Sequence, residues 1–172
     1  MEPKRGSILC GVDGSADSDA ALHVATQLAE RLGSRLVLAH VAQPVPMPAV
    51  PGARAAMVTQ IDVDRTAAEE LLEQTAAAAG LEGVETRVAS GIPAERLADL
   101  ADDERAALIV VGSRGRGAFR AAFLGSVSNE LIGVARCPVL VVPRGATAGL
   151  GTDTQEYWAA WQHASSASRS PR

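Results

Sequence analysis

Five short apolar runs recur along the chain, and the stretches between them have the length and periodicity of helices. Ser7–Val12 and Arg35–Val41 are near-continuous apolar runs, as in strands covered on both faces. Between them, Ser15–Leu32 places Ala21, Val24, Ala25, Leu28 and Leu32 on one helical stripe, with Gly33 as its stop. Pro44, Pro46, Pro48 and Pro51 make Ala42–Gly52 a stiff, extended connection without regular structure. A second helix is expected from about Ala55 to Ala79, with Leu71 and Leu72 on its inner face and Gly80 as its end. Val84–Ala89 alternates more than the other runs, as a strand near a sheet edge does. Pro93 opens a third helix at its first turn, where the missing N–H costs nothing, and Leu97 and Leu100 point that helix inward. Ala107–Val111 is the fourth strand, Gly125–Arg136 the fourth helix, and Val139–Val142 the fifth strand, between two prolines.

The order βαβαβαβαβ implies right-handed crossovers and a parallel sheet. Helices must cover both faces, so the chain winds one way and then reverses. The expected fold is a single doubly wound, five-stranded α/β sheet of order 3-2-1-4-5, Rossmann-like. With aromatics at 3 %, its core must be aliphatic and alanine-rich, which suits close helix-on-sheet packing. Ligands of such sheets bind at the reversal, beyond the carboxyl ends of the two flanking strands. Here those are the first and fourth strands, so residues after Val12 and after Val111 should line one crevice.

A net charge of −4 argues against nucleic acid as a partner, because phosphate backbones call for a concentrated basic face. No apolar stretch approaches the ~20 residues of a membrane helix, and the first apolar run is too short for a secretory signal. Cys10 and Cys137 lie far apart within apolar runs and read as buried thiols of a reducing compartment, so a cytoplasmic location is expected. The domain is expected to span residues 1–143. Residues 144–172 read as a flexible extension: a linker over Gly145–Gly151, a short helix over 153–164 carrying Trp158 and Trp161 on one face, and a disordered end over Ser165–Arg172.

Chemistry concentrates after the fourth strand. Gly112-Ser113-Arg114-Gly115 is followed by nine residues and then by Gly125-Ser126-Val127-Ser128. Glycines let backbone approach a ligand closely, and a helix opening at Gly125–Ser126 turns free N–H groups and the positive end of its dipole toward an anion. The Ser126 and Ser128 hydroxyls would add hydrogen bonds to phosphate oxygens. Arg114, Arg116 and Arg120 are within reach of the same place, with at most one expected to touch phosphate. Each of these residues is also an ordinary turn or cap residue, and their convergence on one crevice favours function. This is a phosphate cradle without the Gly-Lys-Ser/Thr of a Walker loop.

Gly112, Gly115, Gly125 and Ser126 fit a Gly-x2-Gly-x9-Gly-Ser/Thr pattern without a gap. In this the chain resembles the ATP-binding universal stress proteins. Ile8-Leu9-Cys10-Gly11-Val12-Asp13-Gly14-Ser15 resembles that family's first strand and Asp-containing turn, Leu38-Ala39-His40-Val41 the end of its second strand, and Cys137-Pro138-Val139-Leu140-Val141-Val142 its last strand. The resemblance covers roughly residues 5–143. It implies that Val12, Asp13 and Val41 surround adenine and ribose, and that Gly112, Gly115, Gly125, Ser126 and Val127 hold ribose and phosphates. With the strand-end residues Gly11 and Val111, and with Ser128, these form the candidate nucleotide-binding set. Arg114 and Arg116 are added as cationic neighbours. The implied ligand is ATP, with Mg2+ carried on its phosphates, since no protein cage for a metal is visible. The implied role is nucleotide-dependent regulation in stress response, through an unidentified protein partner, with at most slow ATP hydrolysis.

Two other classes of function compete. The related PP-loop pyrophosphatases carry Ser-Gly-Gly-x-Asp-Ser after the first strand, where this chain has Asp13-Gly14-Ser15-Ala16-Asp17-Ser18. An aspartate in the first position would crowd a pyrophosphate with negative charge. A nucleotide-independent interaction module is the other alternative, and the intact glycines argue against it. No catalytic residue is expected: His40 has no nucleophile or metal-ligand partner at a telling spacing and reads as a satisfied, partly buried histidine, and Asp102, Asp103 and Glu104 read as a solvated helix end. The apolar edge strand Pro138–Pro143 is expected to pair with its copy in a homodimer, which the resemblance also implies, or to be covered by the Trp158–Trp161 segment.

Overall fold

The computed structural model describes residues 6–43, 53–115 and 124–146. The elements run β1 (Ser7–Gly11), α1 (Ala16–Leu32), β2 (Leu36–Ala42), α2 (Ala53–Ala78), β3 (Glu85–Ser90), α3 (Pro93–Asp103), β4 (Ala106–Gly112), α4 (Ser126–Val134) and β5 (Val139–Val142). All strands pair in parallel, in the order β3-β2-β1-β4-β5. This is the doubly wound arrangement that the alternation of strand and helix dictates. Among the described residues, no helix is long and apolar enough to cross a membrane.

The pleat divides the apolar strand residues between two cores. Ile8, Cys10, Leu38 and Val110 face α1 and α2, meeting Ala21, Ala25 and Leu72. Leu9, Val37, Ala39, Ile109 and Val111 face α3 and α4, meeting Ala94, Leu97 and Leu131. Small helix residues let α1 lie close to β1 and β4. Ser15 caps α1 by accepting the Ser18 N–H at 3.2 Å, and Gly33, at φ 58°, ends it in the left-handed region that favours glycine.

Several expectations need correction. β2 continues through Ala42, because Ala42 pairs with Ser90 and its carbonyl accepts from Gly91. Leu72 anchors α2, whereas Leu71 is only half-buried. α4 ends at Val134, and Arg136 beyond it pairs with Asp102 at 2.7 Å. Cys10 is fully buried, its thiol pushed up to about 12 by desolvation, but Cys137 is half-exposed and so is not the buried thiol expected. The proline-rich segment 44–52, Arg116, Arg120 and the extension from 147 onward, with its helix over 153–164, lie outside the described residues.

The largest correction concerns Glu104, which is not solvated. Its side chain is 11 % exposed and closes a ring of charges at the amino ends of the strands. Arg35 reaches Glu85 at 2.7 Å and Glu104 at 2.9 Å, while Arg87 reaches Glu104 at 2.6 Å and Glu85 at 3.0 Å. Hydrogen bonding from Arg35 holds the Glu85 carboxyl below its ordinary value of 4.5; desolvation opposes it, and the Arg35 charge and Arg87 add to the lowering. A folded-state value below the unfolded one means that Glu85 stabilises the fold fully above pH 4.5 and loses that contribution as pH falls through the lower value. The urea midpoint should therefore fall between pH 6 and pH 3 by less in Glu85→Gln than in the unaltered chain, and the difference should shrink in high salt. Equal acid limbs for the two proteins would contradict this.

Candidate functional site

β1 and β4 are neighbours whose following helices lie on opposite faces of the sheet, so their carboxyl ends diverge and leave a cleft. On the β1 side, the Val12 N–H donates to the Ala39 carbonyl at 2.8 Å, and the Val12 carbonyl lies 2.6 Å from His40 Nδ1. Both bonds tie the end of β1 to β2. Asp13 follows, with Oδ1 accepting the Ser15 N–H at 2.9 Å across Gly14, which turns at φ 72°. This local bond holds the carboxylate at the lip of the cleft. Ser15 is the helix cap.

On the β4 side, Ser113 organises the turn. Its N–H donates to the Val142 carbonyl at 2.7 Å, its carbonyl accepts the Gly125 N–H at 2.7 Å, and its hydroxyl donates to Asp17 Oδ2 at 2.8 Å. The chain then passes Arg114 and Gly115 and returns at Leu124 and Gly125 to start α4. Gly125 brings no side-chain cap, so the first N–H groups of α4 have no partner within the helix.

The cleft is a cavity of about 600 Å3. Gly11, Val12, Asp13, Val41, Val111, Gly112, Gly115, Gly125, Ser126, Val127 and Ser128 all line it, and so does Arg114, its lining cation among the described residues. Arg116 is outside the described residues. The structure thus brings the candidate set together around one space, but it assigns some members different work. Gly112 must lack a side chain because of α1: a Cβ there would lie 2.7 Å from the Asp17 backbone carbon. Ser128 is buried, and its hydroxyl lies within donating distance of the carbonyls of Ser113 and Gly125, at 3.1 and 3.0 Å. It braces the turn instead of offering its hydroxyl to the cavity. Ser126 is exposed at the helix start. Asp13 does not stand apart from the glycine limb: a Cβ on Gly115 would come within 2.6 Å of its Oδ2.

Sequence reasoning missed several lining residues. Ala39, His40 and Gln43 come from the end of β2, and Pro93 and Leu97 from the start of α3. Leu97 was legible as an inward-facing residue, but its proximity to the cleft depends on how far α3 reaches over β1. That is a packing fact: a Cβ on Gly11 would lie 3.0 Å from Val111 Cγ1 and 3.4 Å from Leu97 Cδ1, so both side chains close over the end of β1. Among the described residues no three His, Cys, Asp or Glu side chains converge to hold a metal ion. The arrangement can present aliphatic walls, one carboxylate, one guanidinium and several backbone N–H groups to a polar anionic ligand.

A sequence profile of the Universal stress protein family matches residues 4–143. The chain is 35 % identical over 137 residues to a universal stress protein of Thermus aquaticus, covering 79 % of this chain and 97 % of that one. It is 34 % identical over 140 residues to a universal stress protein of Mycobacterium tuberculosis, covering 81 % of this chain and 46 % of the relative, so it spans about half of that protein. Among solved structures, UspA of Lactobacillus plantarum superposes with a TM-score of 0.70 at 23 % identity, covering 82 % of this chain and 99 % of that one, and shares the fold. A universal stress protein crystallised in complex with cAMP superposes with a TM-score of 0.55 at 27 % identity, covering 83 % of this chain and 100 % of that one. Strand order, glycine spacing and these likenesses agree: the chain belongs to the universal stress protein family.

Proposed function

We propose that the cleft between the ends of β1 and β4 binds an adenine nucleotide, ATP with Mg2+, and that the chain is a nucleotide-responsive regulatory protein of stress response, not a turnover enzyme. One observation carries this reading: Asp13, adjoining Gly115, and the backbone of Gly125–Val127 at the start of α4 line one cavity of ligand size. The cAMP complex of the related protein supports an adenine nucleotide as the ligand class. Val41 and Val12 would offer apolar walls to the base. The N–H groups at the start of α4, with Arg114, would meet the phosphates. Mg2+ binds through phosphates, water and one or two carboxylates, and Asp13 is the carboxylate nearest the limb, so the residues fit a metal that arrives with its nucleotide. Calorimetric titration with ATP and Mg2+ should give saturable binding below millimolar nucleotide; no saturation in that range would overturn the proposal.

The regulatory output would pass through surfaces. β5 is an edge strand of Val139, Leu140, Val141 and Val142, the first three only partly buried. Pairing with the same strand of a second copy would close that edge in a two-fold dimer, and an unidentified protein partner would read the assembly. Light scattering at micromolar concentration should return twice the chain mass, and a monomer would contradict the pairing. The unpaired thiols Cys10 and Cys137 support a reducing, cytoplasmic setting.

A further inference from the structure

We propose that Asp17 and Ser113 are positioning residues of the cleft: their buried hydrogen bond fixes the glycine limb against α1 and thereby sets affinity for the phosphate part of the ligand. This inference rests on the nucleotide reading and adds residues that touch no nucleotide.

Asp17 belongs to the first turn of α1 and Ser113 to the turn after β4, 96 residues apart, and each is 7 % exposed. Neither is needed to line the cavity. Ser113 nevertheless holds three elements through three groups, with its N–H on β5, its carbonyl on the start of α4 and its hydroxyl on Asp17. The two backbone bonds tie the turn to β5 and α4 only. The side-chain bond adds a buried tie to α1 on the opposite face of the sheet from α4.

Two further contacts share the purpose. Ser15 donates its hydroxyl to the Arg114 carbonyl at 3.3 Å, and Gly112 lies flat against the Asp17 backbone. The first turn of α1 is therefore the template on which residues 112–115 are set. An anion nest works only if its N–H groups point to one place, because a pre-aimed donor loses no ordering entropy when ligand arrives.

The chemistry of Asp17 separates positioning from charge. Its Oδ2 is needed only as an acceptor, so a carboxamide oxygen serves equally. Its negative charge, by contrast, opposes a phosphate nearby. Asp17→Asn keeps the bond and removes the charge, whereas Asp17→Ala removes both.

The test compares ATP and adenosine affinities, by titration and by competition, in the unaltered chain, Ser113→Ala, Asp17→Ala and Asp17→Asn, with thermal midpoints alongside. Ser113→Ala should weaken ATP about tenfold and leave adenosine within about twofold, since adenosine has no phosphate to meet the limb. Asp17→Ala should show the same selective loss in smaller degree, and Asp17→Asn should bind ATP at least as tightly as the unaltered chain. A purely structural role would lower the midpoint and weaken both ligands in parallel, or neither. ATP affinity unchanged in both alanine variants, parallel loss of adenosine, or Asp17→Asn as weak as Asp17→Ala would each overturn the inference. Should Ser113→Ala fail to fold, the two Asp17 variants make the same comparison. No ATP binding by the unaltered chain would remove the nucleotide reading itself, and this inference with it; normal binding there with indifferent variants removes this inference alone.

Discussion

Replacing Gly115 by valine is expected to abolish measurable ATP binding while leaving the fold standing. A Cβ at this position would lie 2.6 Å from Asp13 Oδ2, with the next nearest atom, Asp13 Cγ, at 3.9 Å. Among the described residues the conflict is with this one carboxylate. Asp13 yields at the cost of its local contact, because its other oxygen holds the Ser15 N–H. It must break that bond or swing into the cavity, and either movement displaces the carboxylate from the ligand site while the valine adds bulk to the cavity wall. ATP affinity should fall by roughly two orders of magnitude or more, about 3 kcal/mol. The backbone of Gly115 is not left-handed and the position is exposed, so stability should fall by no more than about 1 kcal/mol, the loss of the Asp13–Ser15 bond. Calorimetry and a urea titration on the same preparation read both quantities. Retained binding, or a collapse of stability, would contradict the placement of Gly115.

Gly112 should behave in the opposite way. Alanine there would meet the Asp17 backbone carbon at 2.7 Å and the Asp17 Cβ and carbonyl oxygen at 2.9 Å. These atoms belong to the first turn of a helix packed on β4 and β1, and none is the end of a flexible side chain. α1 must move off the sheet, which strains a close-packed interface of small residues. A cost of about 3 kcal/mol is expected for Gly112→Ala, at the upper end for overpacking, with a thermal midpoint about 6–12 °C lower. A loss below about 1 kcal/mol would mean that α1 is not seated as described. The two glycines of one motif thus separate cleanly: one keeps a ligand space open, and the other lets a helix lie against a strand.

That separation marks what the sequence could and could not disclose. The strand order was legible because five apolar runs alternate with helical stripes, and because parallel sheets with helices on both faces permit few windings. The convergence of Asp13 with Gly115 and Gly125 followed from the same topology. What stayed hidden depends on side-chain reach across elements. Ser128 looked like a phosphate ligand and proves to brace a turn, because its hydroxyl meets carbonyls 3 and 15 residues back in the chain. Glu104 looked solvated at the end of a polar run, yet guanidinium groups from Arg35 and Arg87 enclose it. Asp17 looked like an ordinary acidic residue in a first helical turn, and its bond to Ser113 spans 96 positions. Spacing along the chain carries no information about such partners.

Residue-level amide hydrogen exchange with and without saturating ATP and Mg2+ locates the ligand without presuming its pose. Protection should rise at Gly115 and at Ser126–Val127, and around Val12 and Asp13, while the amides of α2 and of the outer turns of α3 stay as they were. Binding that protects other regions and leaves Gly115 and Ser126 exchanging at their ligand-free rates would place the nucleotide elsewhere and contradict the site.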